Sequence, residues 1–299
     1  MKKCRILVLA GGGCCAALIT HFLSMLPEGK QNLNGIDVIA GCSAGGLLAS
    51  AYSIGQPFSY IDAVFQRRAS ECFTKRFNAK INPLACPTYR NDTIDKVMKD
   101  MMGGAKVGDI KKTYPNLTYI VPALNLTDDK YIVFENITGK YNHVKLRDIS
   151  GYTSAASTYF AGRDFEGKCI VDSGIIEVMP LLTATLEVKK KFGIEFSDMN
   201  VLAIGCGKDS DGGKLTLEYY NDLGLVGIAK EMLIPYYTFG NELFSEYCGK
   251  NIGYNFFTYF NPIETNGKLD DVSQIPSLVK EADKYREEFL RVWNYWISL

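Results

Sequence analysis

Three short stretches carry groups suited to acyl chemistry. Gly41-Cys42-Ser43-Ala44-Gly45 sets one hydroxyl among small residues. An apolar run, Val38-Ile39-Ala40, precedes it, and a helix-forming stretch, Gly46 to Tyr52, follows. This is the layout of a nucleophile elbow, a sharp strand-to-helix turn that lifts a serine oxygen clear of a sheet. Gly41 and Gly45 suit such a turn, because side chains would collide there and glycine tolerates unusual dihedrals. The same five residues also fit an ordinary turn in which Ser43 caps the helix.

A serine hydroxyl is a weak nucleophile and needs a positioned base. The chain has two histidines, His21 and His143, and none follows His143. One option is a triad of Ser43, His143 and an acid between them, Asp128 or Asp129. The other is a carboxylate that takes the serine proton directly. Asp172, in Asp172-Ser173-Gly174, is the candidate, since it ends a short apolar strand, Lys168 to Val171. It is expected at the carboxyl edge of the sheet, where ligands bind in open α/β folds and where the strand before Ser43 also ends. Asp172 reads equally well as a residue that caps the following turn.

The developing oxyanion needs donors. Gly11-Gly12-Gly13 follows the first apolar run and precedes a helix, so its backbone N–H groups are candidates. Gly11, Gly13 and Ala16 also fit the dinucleotide fingerprint G-x-G-x-x-A. That reading requires an acid about 20 residues on, at the carboxyl end of the second strand. Asp37 is close in count but stands at the amino end.

The elements that must position these residues read as α/β. Arg5 to Ala10 is a continuous apolar run, as in a strand covered on both faces. Cys14 to Leu26 reads as a helix stopped by Pro27 and Gly29. Ile36 to Ala40 is the second strand. This β-α-β-α start predicts a mostly parallel central sheet flanked by helices on both faces. Leu117 to Ala123, Tyr131 to Glu135 and Asn200 to Ile204 read as further strands, and Ile149 to Phe160 as a helix of small residues. From Leu215 the chain looks helical and aromatic-rich, and Val279 to Trp296 reads as one closing amphipathic helix. Gln56 to Thr113 reads as helices and loops carrying Arg67, Arg68, Lys75, Arg76, Lys80 and Arg90. These are either a solvated face or a patch that meets anionic headgroups. No repeat, linker or domain boundary stands out, so a single domain over 1–299 is expected.

Composition narrows the class. The 299 residues have zero net charge and no polybasic tail, so nothing favours nucleic acid as a partner. The nine cysteines form no C-x-x-C pair and are odd in number, which points to buried thiols of a reducing compartment. With only two histidines a His-based metal site is not expected either. Met1-Lys2-Lys3 and Ile6 to Ala10 are too short for a signal peptide, and no stretch approaches a membrane span. The expectation is a cytoplasmic protein, peripheral at membranes. Sequons at Asn91, Asn116, Asn125 and Asn136 imply nothing without secretion.

Taken in order, the motifs resemble the patatin-like phospholipase family. Gly11-Gly12-Gly13 is similar to its oxyanion loop, Gly41-Cys42-Ser43-Ala44-Gly45 to its G-x-S-x-G elbow, and Asp172-Ser173-Gly174 to its D-G-G or D-G-A motif. Ser154 to Phe160, Pro180 and Ile204 to Gly207 resemble later family features. The resemblance implies a core over about 5–207 and a helical part over about 215–299. It implies a Ser43–Asp172 dyad, oxyanion donors from Gly11, Gly12, Gly13 and Ala44, and support from Gly41, Gly45 and Gly174. It also implies an acyl-lipid substrate, with no metal and no cofactor. Cys15 and Ala16 stand where the family has a basic residue and Gly, and Ser173 replaces a Gly. These departures motivate a second expectation, a lipid-binding protein that kept the fold and lost turnover, and a third is a nucleotide-binding module.

Overall fold

The structure is a computed structural model and describes residues 3–77, 86–209, 241–266 and 268–299. Strand β1 (Cys4–Leu9) is followed by a 3₁₀ turn and helix α1 (Ala17–Ser24). Strand β2 (Val38–Gly41), helix α2 (Ala44–Ser53), α3 (Phe58–Cys72), α4 (Asn91–Met102) and the short α5 (Ile110–Thr113) come next. The hairpin β3 (Thr118–Asn125) and β4 (Lys130–Glu135) leads to α6 (Leu146–Thr153), β5 (Arg163–Phe165) and β6 (Lys168–Val171). After α7 (Gly174–Glu177), α8 (Leu181–Phe192), β7 (Met199–Ile204) and β8 (Lys208–Asp209), the described chain resumes at α9 (Asn241–Asn251). It ends with β9 (Phe256–Phe260), β10 (Glu264–Thr265), α10 (Ile275–Asp283) and α11 (Arg286–Ser298).

An eight-stranded sheet runs β5-β6-β3-β2-β1-β7-β9, with β4 also paired to β3. The pairs β1–β2, β1–β7, β2–β3 and β7–β9 are parallel. Strand β1 shows why the sheet is central. Ile6 and Val8 enter one apolar cluster with Leu181, Ala184 and Val188 of α8. Leu7 and Leu9 enter another with residues of α1, α2, α3, α10 and α11. Alternate side chains of a strand point to opposite faces, so both faces of this one are covered. This is the expected mostly parallel sheet between helical layers.

Several expectations need correction. The expected helix over Ile149 to Phe160 is instead α6, which stops at Thr153, and Ser154 to Phe160 is irregular, with Thr158 at φ 73. The expected closing helix is two helices, α10 and α11, separated at Lys284 and Tyr285. The helix from Cys14 begins as a 3₁₀ turn over Gly13–Ala16. The expected helical run from Leu215 falls partly on 215–240, which lies outside the described residues, as does Lys80 of the basic cluster. Among the described residues, no helix is long and apolar enough to cross a membrane.

Candidate active site

Ser43 stands between β2 and α2 with φ 54 and ψ −127, a conformation that costs a side-chain-bearing residue strain. The neighbouring glycines explain how the turn is made. A Cβ on Gly41 would lie 2.2 Å from the Gly45 carbonyl oxygen, and one on Gly45 would lie 2.2 Å from that of Leu9. The Ser43 peptide is held from outside its own turn. Its N–H donates to Thr153 Oγ1 at 2.9 Å, and its carbonyl accepts from Leu47 N at 3.1 Å and Ser154 Oγ at 3.3 Å. A simple capping role is not what Ser43 does, since its side chain makes no cap hydrogen bond.

Asp172 reaches Ser43 by a route the sequence does not suggest. Strand β6 runs antiparallel to β3, so Asp172 is not delivered by a strand parallel to that of Ser43. Strand β4 occupies one edge of β3 along Ile120 to Asn125. The other edge is therefore shared end to end by β2, paired to Thr118–Ile120, and β6, paired to Leu124 and Asn125. Continued past their ends, both registers bring Ser43 and Asp172 level with Ala123. The two strands thus point at each other across a short gap, and both residues stand in it.

The Asp172 carboxylate is 2% exposed and accepts from Gly174 N at 2.7 Å. Burial pushes its pKa up to about 6, against the opposing influence of the nearby Ser43 side chain and of hydrogen bonds from the Gly174 amide and the Cys42 thiol. Its own N–H donates to Ala155 O at 3.1 Å, so the irregular Ala155 segment serves this residue. Ser173, which replaces a family glycine, has φ −85, so no positive dihedral is needed there. Its hydroxyl is buried 3.3 Å from Cys42 Sγ.

The Gly-rich loop packs against the elbow: a Cβ on Gly11 would lie 2.9 Å from Ser43 Cβ, and one on Gly12 would lie 2.3 Å from Cys206 Cβ. Gly13 has φ 56, and a Cβ there would meet Leu269 O at 2.3 Å. The three amides are not equivalent. Gly11 N–H already donates to Val178 O at 2.8 Å, which makes it a poor oxyanion donor. Among the described residues, the amides of Gly12, Gly13 and Ala44 have no acceptor. Cys15 is fully buried, with Gln274 Nε2 3.5 Å from its sulfur, so no cation stands at that position of the loop.

Ser43 and Ala44 border an apolar cavity of about 70 Å³, walled by residues of α3 and α4 such as Phe65, Ala69, Ile94 and Val97. A smaller void beside it touches Gly12, Ser43, Asp172 and Gly174 together. The other candidates are elsewhere. His21 is bound between Asp62 (3.1 Å) and Asp283 (3.2 Å), and His143 faces Glu166 at 3.8 Å on the surface. Asp128 is paired with Lys168 at 2.8 Å, so the histidine triad is not assembled. Asp37 caps the amino end of β2 by accepting from Arg5 N, which leaves the dinucleotide reading without its acid. Of the basic cluster, Arg68 is paired with Glu71 and Asp100, and Arg90 with Asp92. Among the described residues no group of three or more His, Cys, Asp or Glu side chains could hold a metal ion.

Sequence reasoning missed Thr153, the amide anchor of Ser43, and Leu269, whose carbonyl receives Cys14 N–H at 2.7 Å and whose side chain borders both cavities. It also missed Asn241, whose carboxamide contacts Gly174 and Val178. No local pattern marks any of the three.

A model of the family described as patatin-like phospholipase matches residues 7–185, more than half of the chain. A Vibrio cholerae protein named cGAMP-activated phospholipase is 26% identical over 68% of this chain and 64% of its own length. Patatin-like protein 2 of Oryza sativa subsp. indica is 25% identical over 71% of this chain and 62% of its own. The chain thus spans less than two thirds of these relatives. Among solved structures, human GIVD cytosolic phospholipase A2 in complex with methyl gamma-linolenyl fluorophosphonate aligns with a TM-score of 0.49 at 10% identity, over 99% of this chain and 59% of that one. VipD from Legionella pneumophila aligns with a TM-score of 0.43 at 13% identity, over 94% and 67% respectively.

Proposed function

The chain belongs to the patatin-like phospholipase family, and from that premise we propose that it is a lipid acyl hydrolase of the phospholipase A type. Ser43 is the nucleophile and Asp172 its base. The observation that carries the reading is a strained serine that stands level with a buried carboxylate at Ala123 and borders the same small void, while burial pushes that carboxylate's pKa up to about 6. A base is most effective when its pKa lies near the working pH. Burial brings this carboxylate into the range usually occupied by imidazole.

In the first half-reaction Ser43 Oγ attacks the ester carbonyl as its proton passes to Asp172. The tetrahedral oxyanion is received by the free amides of Gly12, Gly13 and Ala44. The intermediate collapses, and the leaving alcohol departs with the proton from Asp172. Water then gives a proton to Asp172 and attacks the acyl-serine, and the collapse returns that proton to Ser43 as the fatty acid leaves. The cavity beside Ser43 is lined by apolar side chains, which matches the chemistry of an acyl chain. The substrate is a membrane lipid, met by peripheral contact with the bilayer.

The test is hydrolysis of phosphatidylcholine vesicles, read by lipid mass spectrometry, with and without cyclic GMP–AMP, an activator that matched relatives carry in their names. Ser43→Ala and Asp172→Asn are each expected to lower kcat by at least a thousandfold, a size typical of losing a nucleophile or its base. Full turnover in either variant would end the dyad proposal. A fluorophosphonate probe should label Ser43, and an unlabelled wild type would favour the non-catalytic lipid-binding reading.

A further inference from the structure

We infer that Asn241 is a positioning residue for this chemistry, and that its carboxamide ties the Asp172 turn to the Gly-rich loop. The inference rests on the Ser43–Asp172 reading above. Asn241 is the first residue of α9 and lies outside the segment that the family match covers. Its Oδ1 accepts from Val178 N–H at 2.8 Å, and its Nδ2 donates to Gly174 O at 2.6 Å. Those two groups are four residues apart at the two ends of α7. In a continuing helix the Val178 N–H would donate to the Gly174 carbonyl directly. The carboxamide is inserted into that bond, and it needs both a donor and an acceptor to do so. Exchanging its O and N would set N–H against N–H, so the network fixes its orientation.

Both ends of the splice lead to the site. Gly174 N–H donates to Asp172 Oδ1 at 2.7 Å. The Val178 carbonyl accepts Gly11 N–H at 2.8 Å, and the Val178 side chain packs on Gly11. Without the carboxamide, the 178-to-174 bond is free to close. Closure would draw the Val178 carbonyl off Gly11, and the oxyanion loop and the base would lose their common support. A side chain inserted into a helix ladder holds the helix open in this way.

The experiment uses the full chain with the vesicle assay and fluorophosphonate labelling. Asn241→Ala is expected to lower kcat about tenfold to a hundredfold, the cost of sub-ångström to ångström misplacement, with KM within about twofold. Asn241→Asp keeps the shape and the acceptor, loses the donor, and places a negative charge near Asp172. It is expected to move the acidic limb of the pH profile upward by about one pH unit. Ser245→Ala, which removes a contact from the same helix to Met179 O, is the control and should leave both measures unchanged. If Asn241→Ala does not fold, Asn241→Asp carries the test. An active wild type with both Asn241 variants unaltered, or a loss shared equally by Ser245→Ala, overturns this inference alone. A wild type that neither hydrolyses vesicles nor is labelled at Ser43 overturns the reading beneath it.

Discussion

At Asp172 a carboxylate gains proton affinity by being buried without a cation beside it. The consequence for rate is direct. Activity is expected to rise with pH through about 6 as Asp172 ionises, and the kcat/KM profile should show that acidic limb. The consequence for stability has the opposite sense. The folded pKa is raised from 3.8 to about 6, so the folded state holds the proton more tightly than the unfolded chain. That contribution is fully present below about pH 4 and is lost as pH rises through about 6, a difference of about 3 kcal/mol. Asp172→Asn, which stays neutral, should therefore be more stable than wild type at pH 8 by up to about 3 kcal/mol. At pH 4 the two should be nearly equal. Urea unfolding at the two pH values checks this. At the elbow, Gly45→Ala should destabilise by at least about 2 kcal/mol, because its Cβ meets the backbone of Leu9 and Ala10. Gly104→Ala, where a Cβ meets nothing within 4 Å, is the control.

Among the elements, α6 does more than cover the sheet. Its last residue, Thr153, is fully buried and accepts the Ser43 N–H through Oγ1. The hydroxyl of Ser154 donates to the Ser43 carbonyl, and the Ala155 carbonyl receives Asp172 N–H. Small residues let this segment approach both halves of the site, and the helix ends where they take on that task. Thr153→Val keeps the shape but leaves a buried N–H without its acceptor. It should cost about 1–3 kcal/mol in thermal or denaturant unfolding and lower kcat by a larger factor than it changes KM. Helix α8 is anchored in a similar way by Glu177. Its Oε1 accepts from Leu182 N at 2.7 Å and Thr183 N at 3.3 Å and so serves the first turn of the helix.

At the scale of the whole molecule, residues far beyond the motifs close the core. Trp296 is fully buried, and its Nε1 donates to Asn200 O of β7 at 2.9 Å, while Phe289 and Trp293 of α11 lie in the cluster under Leu7 and Leu9. Trp296→Ala is expected to destabilise by about 3–5 kcal/mol, read as a lower denaturation midpoint with the Ser43 labelling site intact in the remaining folded fraction. His21 joins α1 to α3 and α10 through Asp62 and Asp283. Burial opposes its charge, but the two carboxylates more than offset this and raise its pKa. Its contribution to stability is therefore complete below the ordinary pKa of 6.5 and fades as pH rises through the higher folded value.

Local sequence was enough to reveal the alternation of strand and helix, the elbow around Ser43 and the glycines beside it. Such features are written in contiguous residues: an apolar run buried on both faces, then small residues where no side chain fits. The sequence also singled out Asp172, but with a wrong path to the edge, because strand direction is decided by pairing with β3 and not by the strand itself. The meeting of Cys42 and Asp172, 130 positions apart, and the differing availability of the Gly11, Gly12 and Gly13 amides were settled only when the chain packed. So were the anchors Thr153, Leu269 and Asn241, since a hydrogen bond between distant segments leaves no periodicity in either one.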